Sequence, residues 1–128
     1  MARALPRPTD AELEILRVLW ERGPATVRQV HEALSGTRET GYTTTLKLMQ
    51  IMADKGLVTR DESSRTHIYT ARASQEHTQR QLLEDLVNRA FGGSAAALVL
   101  RALSSHKTSD RELLEIRRLI DEAREERR

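Results

Sequence analysis

The feature that most constrains the fold is a series of three short helical patterns with abrupt ends, all within residues 9–56. Thr9–Glu12 and Thr26–Gln29 have the spacing of capping boxes, in which a Thr side chain and a Glu or Gln side chain bond each other's backbone amides. Arg22–Pro24 and Gly56 have the composition of helix stops. We predict helices after Thr9 and Thr26 and from about Tyr42 to Lys55, which together form a helix-turn-helix.

The pattern then changes to that of a β-hairpin. Leu57–Asp61 and Arg65–Thr70 carry β-branched and aromatic residues, and residues 62–64 between them are polar. A helix-turn-helix followed by a hairpin is typical of a winged helix. The predicted fold class is therefore mainly α with a small β-hairpin wing, an N-terminal winged helix-turn-helix plus a C-terminal helical dimerisation region.

Three further helices are predicted after Ala73. Ser74 caps one that runs to about Phe91, a second runs from Ala95 to Leu103 before a loop at residues 104–107, and Ser109 caps a third that reaches about Glu125. About 55 residues with one aromatic side chain and no cysteine make a poor core, so we expect an intertwined homodimer. The alternative is that these helices fold back on the first domain. The predicted dimerisation residues are Leu82, Leu86, Phe91, Val99, Leu100, Leu103, Leu113, Ile116 and Ile120.

The chain therefore divides into a flexible N-terminal arm (residues 1–8), a winged-helix DNA-binding domain (9–73) and a helical dimerisation domain (74–128). It has no cysteine, no signal-peptide pattern and no long apolar run. We accordingly expect a cytoplasmic protein without membrane insertion. The four histidines lack the spacing of a metal site, so no metal or cofactor is expected. No nucleophile elbow or glycine-rich phosphate loop is present, which argues against an enzyme.

The start of the third helix is the first candidate for DNA contact. If Thr45 points inward, Thr43, Thr44 and Lys47 lie on the exposed face. Threonine can pack its methyl group on thymine, and lysine can meet a phosphate or a guanine edge. The alternative is a solvated helix start capped by Thr40.

The wing is the second candidate surface. Arg60 and Arg65 flank its tip and could straddle a phosphate backbone, and alternation places His67 and Tyr69 on the strand face of Arg65. The net charge is only +2, but the basic excess lies entirely in residues 1–73, which permits an anionic partner. The alternative is an ordinary charged hairpin.

Several of these segments also match a known family. The sequence resembles the penicillinase repressor family (BlaI/MecI/CopY) of winged-helix transcriptional regulators from Pro8 to about Glu125. The motifs that carry the resemblance are Thr9–Leu16, Thr26–Val30, Tyr42–Leu46, Lys55–Val58, Ile68–Tyr69, Phe91–Ser94 and Leu98–Leu100.

The resemblance implies a homodimer that binds double-stranded DNA at a palindromic operator, with the third helix in the major groove. By position it assigns base reading to Thr43, Thr44 and Lys47 and a wing contact to Arg65. Family members commonly repress their own operon and genes for β-lactam resistance or metal handling. Many are inactivated through a membrane metalloprotease sensor pathway, and the matching cleavage region here contains Arg101 and Ala102.

The chain departs from the family pattern at several points. Ile51 replaces a common arginine, Ser64 replaces a usual glycine in the wing turn, and Leu98–Ala102 lacks the Asn-Phe pair cut in staphylococcal members. The absence of cysteine excludes copper sensing through thiolates. Two other functions fit the residues: a winged-helix regulator that responds to a small ligand, and a protein–protein adaptor whose winged helix does not read DNA.

Overall fold

The computed structural model describes residues 5–36 and 40–127. Its elements are α1 (Asp10–Arg22), α2 (Val27–Leu34), α3 (Tyr42–Lys55), β1 (Val58–Asp61), β2 (Ile68–Ala71), α4 (Gln75–Ala90), α5 (Ala95–Ser105) and α6 (Asp110–Glu126). They form two compact units that divide between Glu84 and Asp85, inside α4. The predicted fold class, mainly helical with a two-stranded wing, is confirmed.

The helix ends follow the local signals in the sequence. The Glu12 amide donates to Thr9 Oγ1 over 3.2 Å, and the Thr9 amide donates to Glu12 Oε1 over 2.8 Å. The same reciprocal pairs begin α2 at Thr26 and α6 at Ser109. Gly56 ends α3 with a φ of 84°, a left-handed conformation that is strained for any residue with a Cβ.

The core of the first unit brings together one face of each of its first three helices and the base of the wing. Trp20 is half-buried beside it, and its indole Nε1 donates to the Ala73 carbonyl over 2.8 Å. The buried apolar residues are Ile15, Leu16, Leu19, Ala25, Val27, Val30, Met49, Met52, Leu57, Val58, Tyr69 and Ala73.

The wing is an antiparallel pair in which Arg60 lies opposite Tyr69 and Asp61 opposite Ile68. The second strand was predicted at Arg65–Thr70, and this was wrong, because β2 begins only at Ile68. Side-chain hydrogen bonds fold the intervening loop instead: the Ser63 amide donates to Asp61 Oδ1 over 2.9 Å. Residues 62–67 therefore form the wing tip.

A third backbone segment joins the wing at its base. The Ala25 amide donates to the Tyr69 carbonyl over 3.0 Å, and the Tyr69 amide donates to the Ala25 carbonyl over 2.8 Å. The turn between α1 and α2 is thus hydrogen-bonded to β2. This bridge was not predicted. It lies at the residue of β2 whose side chain, that of Tyr69, is buried in the core.

The first unit extends beyond the predicted domain boundary after Ala73. Thr78 in α4 is buried, and the Gln81 side-chain amide donates to the Leu5 carbonyl over 2.7 Å. Leu5 itself packs against the core, so the predicted arm is held to this unit at that residue. Residues 1–4 lie outside the described part of the chain.

The second unit has no buried residue among its described residues 85–127. Its apolar side chains are exposed or half-buried, with Leu100 70% exposed and Leu114 68% exposed. The loop predicted at residues 104–107 was wrong at its start, since α5 continues through Ser105, whose hydroxyl donates to the Arg101 carbonyl over 2.6 Å. Within the described residues, no helix combines the length and the apolar character needed to cross a membrane.

Candidate nucleic-acid interface

The start of α3 presents the polar face that the sequence predicted. Thr43, Thr44 and Lys47 are exposed, and Thr45 is fully buried. Thr40 does not cap this helix. The N-cap is Gly41, whose carbonyl accepts from the Thr44 and Thr45 amides at 3.1 Å each, with no side-chain cap. Within the first turn, the Thr43 and Thr44 side chains are exposed to solvent, where a ligand can reach them.

A groove of about 550 Å³ separates α3 from the wing. One wall is the start of α2, another is the exposed side of α3, and the third is the wing with its tip. Of the residues that the structure describes, three contribute guanidinium groups to its lining, which suits a polyanion. The lining residues are Thr26, Val27, Arg28, Tyr42, Leu46, Gln50, Arg60, Arg65, Thr66, His67 and Tyr69.

The two wing arginines differ in how far their charge is already engaged. Arg60 Nε lies 3.0 Å from Glu62 Oε1, and a hydrogen bond with Tyr69 raises the pKa of Arg60. Arg65 is exposed, and no carboxylate of the described residues pairs with it. Among the described residues, Arg65 is therefore less engaged by carboxylates than Arg60. The predicted shared strand face does not form, because Arg65 and His67 precede β2 and Tyr69 is buried, although all three line the groove.

Sequence reasoning missed the contribution of α2 to this surface. The Arg28 guanidinium lies 5.5 Å from the centre of the Tyr42 ring, and the His31 ring meets the same ring edge-on with centroids 5.9 Å apart. Gln50 lines the groove from α3. The available signal was the three-residue spacing of Arg28 and His31, which places both side chains on one face of α2.

An ion pair attaches the far end of α3 to α1. Lys55 Nζ lies 2.8 Å from Glu12 Oε2, and the Glu12 side chain is 2% exposed. Burial raises the pKa of the Glu12 carboxyl, but hydrogen bonds from Lys55 and the Thr9 amide outweigh it, so the pKa lies below its usual value. The carboxylate thus links the N-terminus of α1 to the C-terminus of α3.

Two departures from the family pattern are also visible at this surface. Ile51 is an exposed apolar side chain on α3, and Ser64 lies in the wing tip, where its hydroxyl donates to the Thr66 carbonyl over 2.9 Å.

Across residues 5–36 and 40–127, no three His, Asp or Glu side chains gather into a metal-binding group.

Comparison with solved structures shows that the fold of this surface is a winged helix. The solution structure of the DNA-binding domain of the repressor BlaI matches with a TM-score of 0.52 at 24% identity, over 59% of this chain and 93% of that chain. The BlaI of Bacillus licheniformis, solved as a monomer in complex with the blaP half-operator, matches over the same shares with a TM-score of 0.51 and 24% identity.

The family follows from the sequence comparison. The penicillinase repressor family matches residues 8–122, and the chain belongs to this family. It is 39% identical over 98 residues to the transcriptional regulator BlaI of Mycobacterium tuberculosis, which covers 74% of this chain and 71% of that protein. It is 23% identical over 120 residues to the penicillinase repressor of Bacillus licheniformis, with 94% of each chain covered. The family consists of DNA-binding transcriptional repressors, which are not enzymes, and this confirms the predicted class.

Proposed function

We propose that this repressor binds a palindromic operator as a homodimer, with α3 in the major groove and the wing along the phosphate backbone. The observation that carries the proposal is the exposed start of α3, with Thr43, Thr44 and Lys47, on the helix that walls the arginine-lined groove. The half-operator complex of the Bacillus licheniformis relative supports it by analogy. A DNA partner supports the further proposal that the protein acts in the cytoplasm.

Base selection is assigned to Thr43 and Thr44. Their methyl groups can pack on thymine and their hydroxyls can hydrogen-bond base edges in the major groove. Lys47, one turn further along α3, supplies a cation for a phosphate or a guanine. Discrimination then depends on short side chains near the backbone of α3, so it needs close approach of the helix to the bases.

Affinity is assigned to the cations of the groove and wing. A phosphate contact releases counterions, so affinity falls as salt rises. Each lost contact makes the plot of log affinity against log salt concentration shallower by about 0.9. Arg65 has no carboxylate partner among the described residues, and the charge of Arg60 is shared with Glu62. Arg65 should therefore contribute more of this salt dependence than Arg60.

Dimerisation is assigned to the apolar faces of α4, α5 and α6. Of the predicted residues, three are half-buried: Leu82, Phe91 and Ile116. The others are exposed: Leu86, Val99, Leu100, Leu103, Leu113 and Ile120. Leu114 and Leu119 are also exposed and were not predicted from the sequence. Exposed apolar area of this extent is costly in water and is removed by a second copy of the chain. Two-fold symmetry of the dimer requires a palindromic operator.

The dimer is tested with Leu100→Glu, which places a charge on the most exposed of these apolar side chains, and Lys107→Glu in an exposed loop as the matched control. We expect sedimentation at micromolar concentration to show a dimer for the unaltered protein and the control, and a monomer for Leu100→Glu. A well-folded monomer of the unaltered protein would contradict the proposal.

Inactivation through a membrane metalloprotease pathway is assigned to the bond between Arg101 and Ala102. Both residues are exposed in α5, so this helix must unwind locally before a protease can hold the bond in an extended form. A cut there separates α6 from the DNA-binding unit and removes part of the dimer surface. Mass spectrometry of the repressor from cells exposed to a β-lactam tests this step, and an intact chain during derepression contradicts it.

The central experiment is a footprint on the region upstream of the protein's own gene, followed by Thr44→Ala with Thr70→Ala as control. Thr70 is an exposed threonine on the β2 face opposite Tyr69. We expect a symmetrical footprint, lost base preference in Thr44→Ala and unchanged binding in the control. No footprint would point to an adaptor, and unchanged preference in Thr44→Ala would refute the role of that residue.

A further inference from the structure

The recognition helix α3 begins differently from the other helices. In the described part of the chain, α1, α2, α4, α5 and α6 each begin with a Ser or Thr whose side chain accepts a hydrogen bond from a first-turn amide. Gly41, which begins α3, has no such side chain. The first turn then consists of Tyr42 and three threonines, which are weak helix formers. Within the helix, this turn has its backbone hydrogen bonds to the Gly41 carbonyl but no side-chain cap, so contacts from a neighbouring helix contribute more to its geometry.

That support comes from α2. The His31 ring meets the Tyr42 ring at an interplanar angle of 87°, the edge-to-face arrangement that aromatic pairs favour. Arg28 covers the same Tyr42 ring at 5.5 Å. His31 Nδ1 also lies 3.5 Å from Thr45 Oγ1, and that hydroxyl reaches the Gly41 carbonyl at 3.4 Å. His31 thus touches the first turn of α3 at two points, at residues 42 and 45.

We propose that His31 and Tyr42 are positioning residues that set the orientation of the first turn of α3 and thereby determine operator selectivity. The proposal rests on the proposed function, in which Thr43 and Thr44 read bases. These two residues lie between the two points held by His31. Because their side chains are short, a small rotation of the turn moves them out of reach of the base edges.

This role differs from that of a DNA contact. His31 is half-buried and does not line the groove, so it does not meet a phosphate there. Of the cations proposed to contact phosphate, Lys47 lies on the following turn of α3 and Arg65 on the wing, whereas Arg28 lines the groove and packs on Tyr42. Loss of the His31–Tyr42 contact should therefore lower discrimination between DNA sequences and leave electrostatic affinity in place.

The test compares the full-length protein with His31→Ala, Tyr42→Ala and the conservative variant Tyr42→Phe, which keeps the ring. The probes are a duplex that the unaltered protein selects from random sequence and a shuffled duplex of the same composition. Fluorescence anisotropy gives both affinities and their salt dependence. Circular dichroism and thermal melting identify any variant that fails to fold, and Tyr42→Ala and His31→Ala test the contact independently of each other.

We expect His31→Ala and Tyr42→Ala to lower the ratio of selected to shuffled affinity by about 10-fold, the scale of one lost base contact. In His31→Ala, affinity for the shuffled duplex and the salt slope should stay unchanged, because His31 does not line the groove. Tyr42 lines the groove and contacts Arg28, so for Tyr42→Ala the ratio alone is the readout. Tyr42→Phe should retain the full ratio. In His31→Ala, an equal loss on both duplexes, a shallower salt slope or an unchanged ratio would overturn the proposal, and so would an unchanged ratio in Tyr42→Ala. Failure of the unaltered protein to select any sequence would instead refute the proposed function.

Discussion

Replacing Lys55 by Met is expected to destabilise the fold because it leaves the Glu12 carboxylate without its charged partner. The two groups lie 2.8 Å apart, and Glu12 is 2% exposed while Lys55 is 37% exposed. A hydrogen bond to a charged group contributes about 1.5–3 kcal/mol, and the partial exposure of Lys55 favours the lower part of that range. We expect Lys55→Met to lower the free energy of unfolding by about 2 kcal/mol.

A double-mutant cycle isolates the ion pair from other effects. Glu12→Gln removes the charge and keeps a side chain that can still complete the capping box with Thr9. Urea unfolding of the two single variants and the double variant, followed by Trp20 fluorescence at one fixed protein concentration, should give a coupling energy of about 1–2 kcal/mol. Lys107→Met, in an exposed loop, is the control for removal of a lysine. A coupling energy below about 0.5 kcal/mol, the value of a surface pair, would refute this reasoning.

The same pair predicts a pH dependence. The pKa of Glu12 is lower in the folded protein than its usual value of 4.5, so its stabilising contribution is present above pH 4.5 and is lost as the pH falls through the folded pKa. The unaltered protein should therefore lose more stability than Glu12→Gln between pH 5 and more acidic conditions. Equal losses in the two proteins would show that Glu12 does not titrate as the contacts require.

Four further substitutions test other parts of the DNA-binding unit. Gly56→Ala should lower the free energy of unfolding in urea by about 1–2 kcal/mol, because a φ of 84° is strained for alanine. The added Cβ would meet no atom closer than 3.5 Å, so this loss reports backbone strain and not a steric clash. Trp20→Phe should cost about 1–2 kcal/mol by leaving the buried Ala73 carbonyl without its donor, and an unchanged melting temperature would contradict this. Arg65→Ala should make the salt dependence of operator binding shallower by about 0.9 in slope, and Arg60→Ala should change it by less, because Arg60 is paired with Glu62. A larger change in Arg60→Ala would show that this pairing does not limit the contact of Arg60 with DNA.

The elements that could be predicted from the sequence are those specified by local signals. Capping boxes at Thr9, Thr26 and Ser109 and the stop at Gly56 lie within a few residues of the helix ends that they determine. The exposed face of α3 followed from the inward position of Thr45, again a matter of local periodicity.

The features that could not be predicted depend on residues far apart in the chain. The bridge between Ala25 and Tyr69 joins a turn to a strand, and the ion pair between Glu12 and Lys55 spans 43 positions. Alternation alone placed Tyr69 beside Arg65 on one strand face, whereas Arg65 precedes β2 and the Tyr69 side chain is buried in the core. The arginine-lined groove was missed for the same reason, since its walls come from three separate elements.

The backbone bridge at Tyr69 also determines where this DNA-binding unit can change during evolution. The wing is hydrogen-bonded to the rest of the unit at its base. Residues 62–67 extend beyond Asp61 and Ile68, the last paired residues of β1 and β2, and none of them is part of the core. Insertions or charge changes there alter the reach of the wing without disturbing the packing beneath it. A repressor built in this way can adapt to a new operator through its wing tip while the helices that fold the domain remain unchanged.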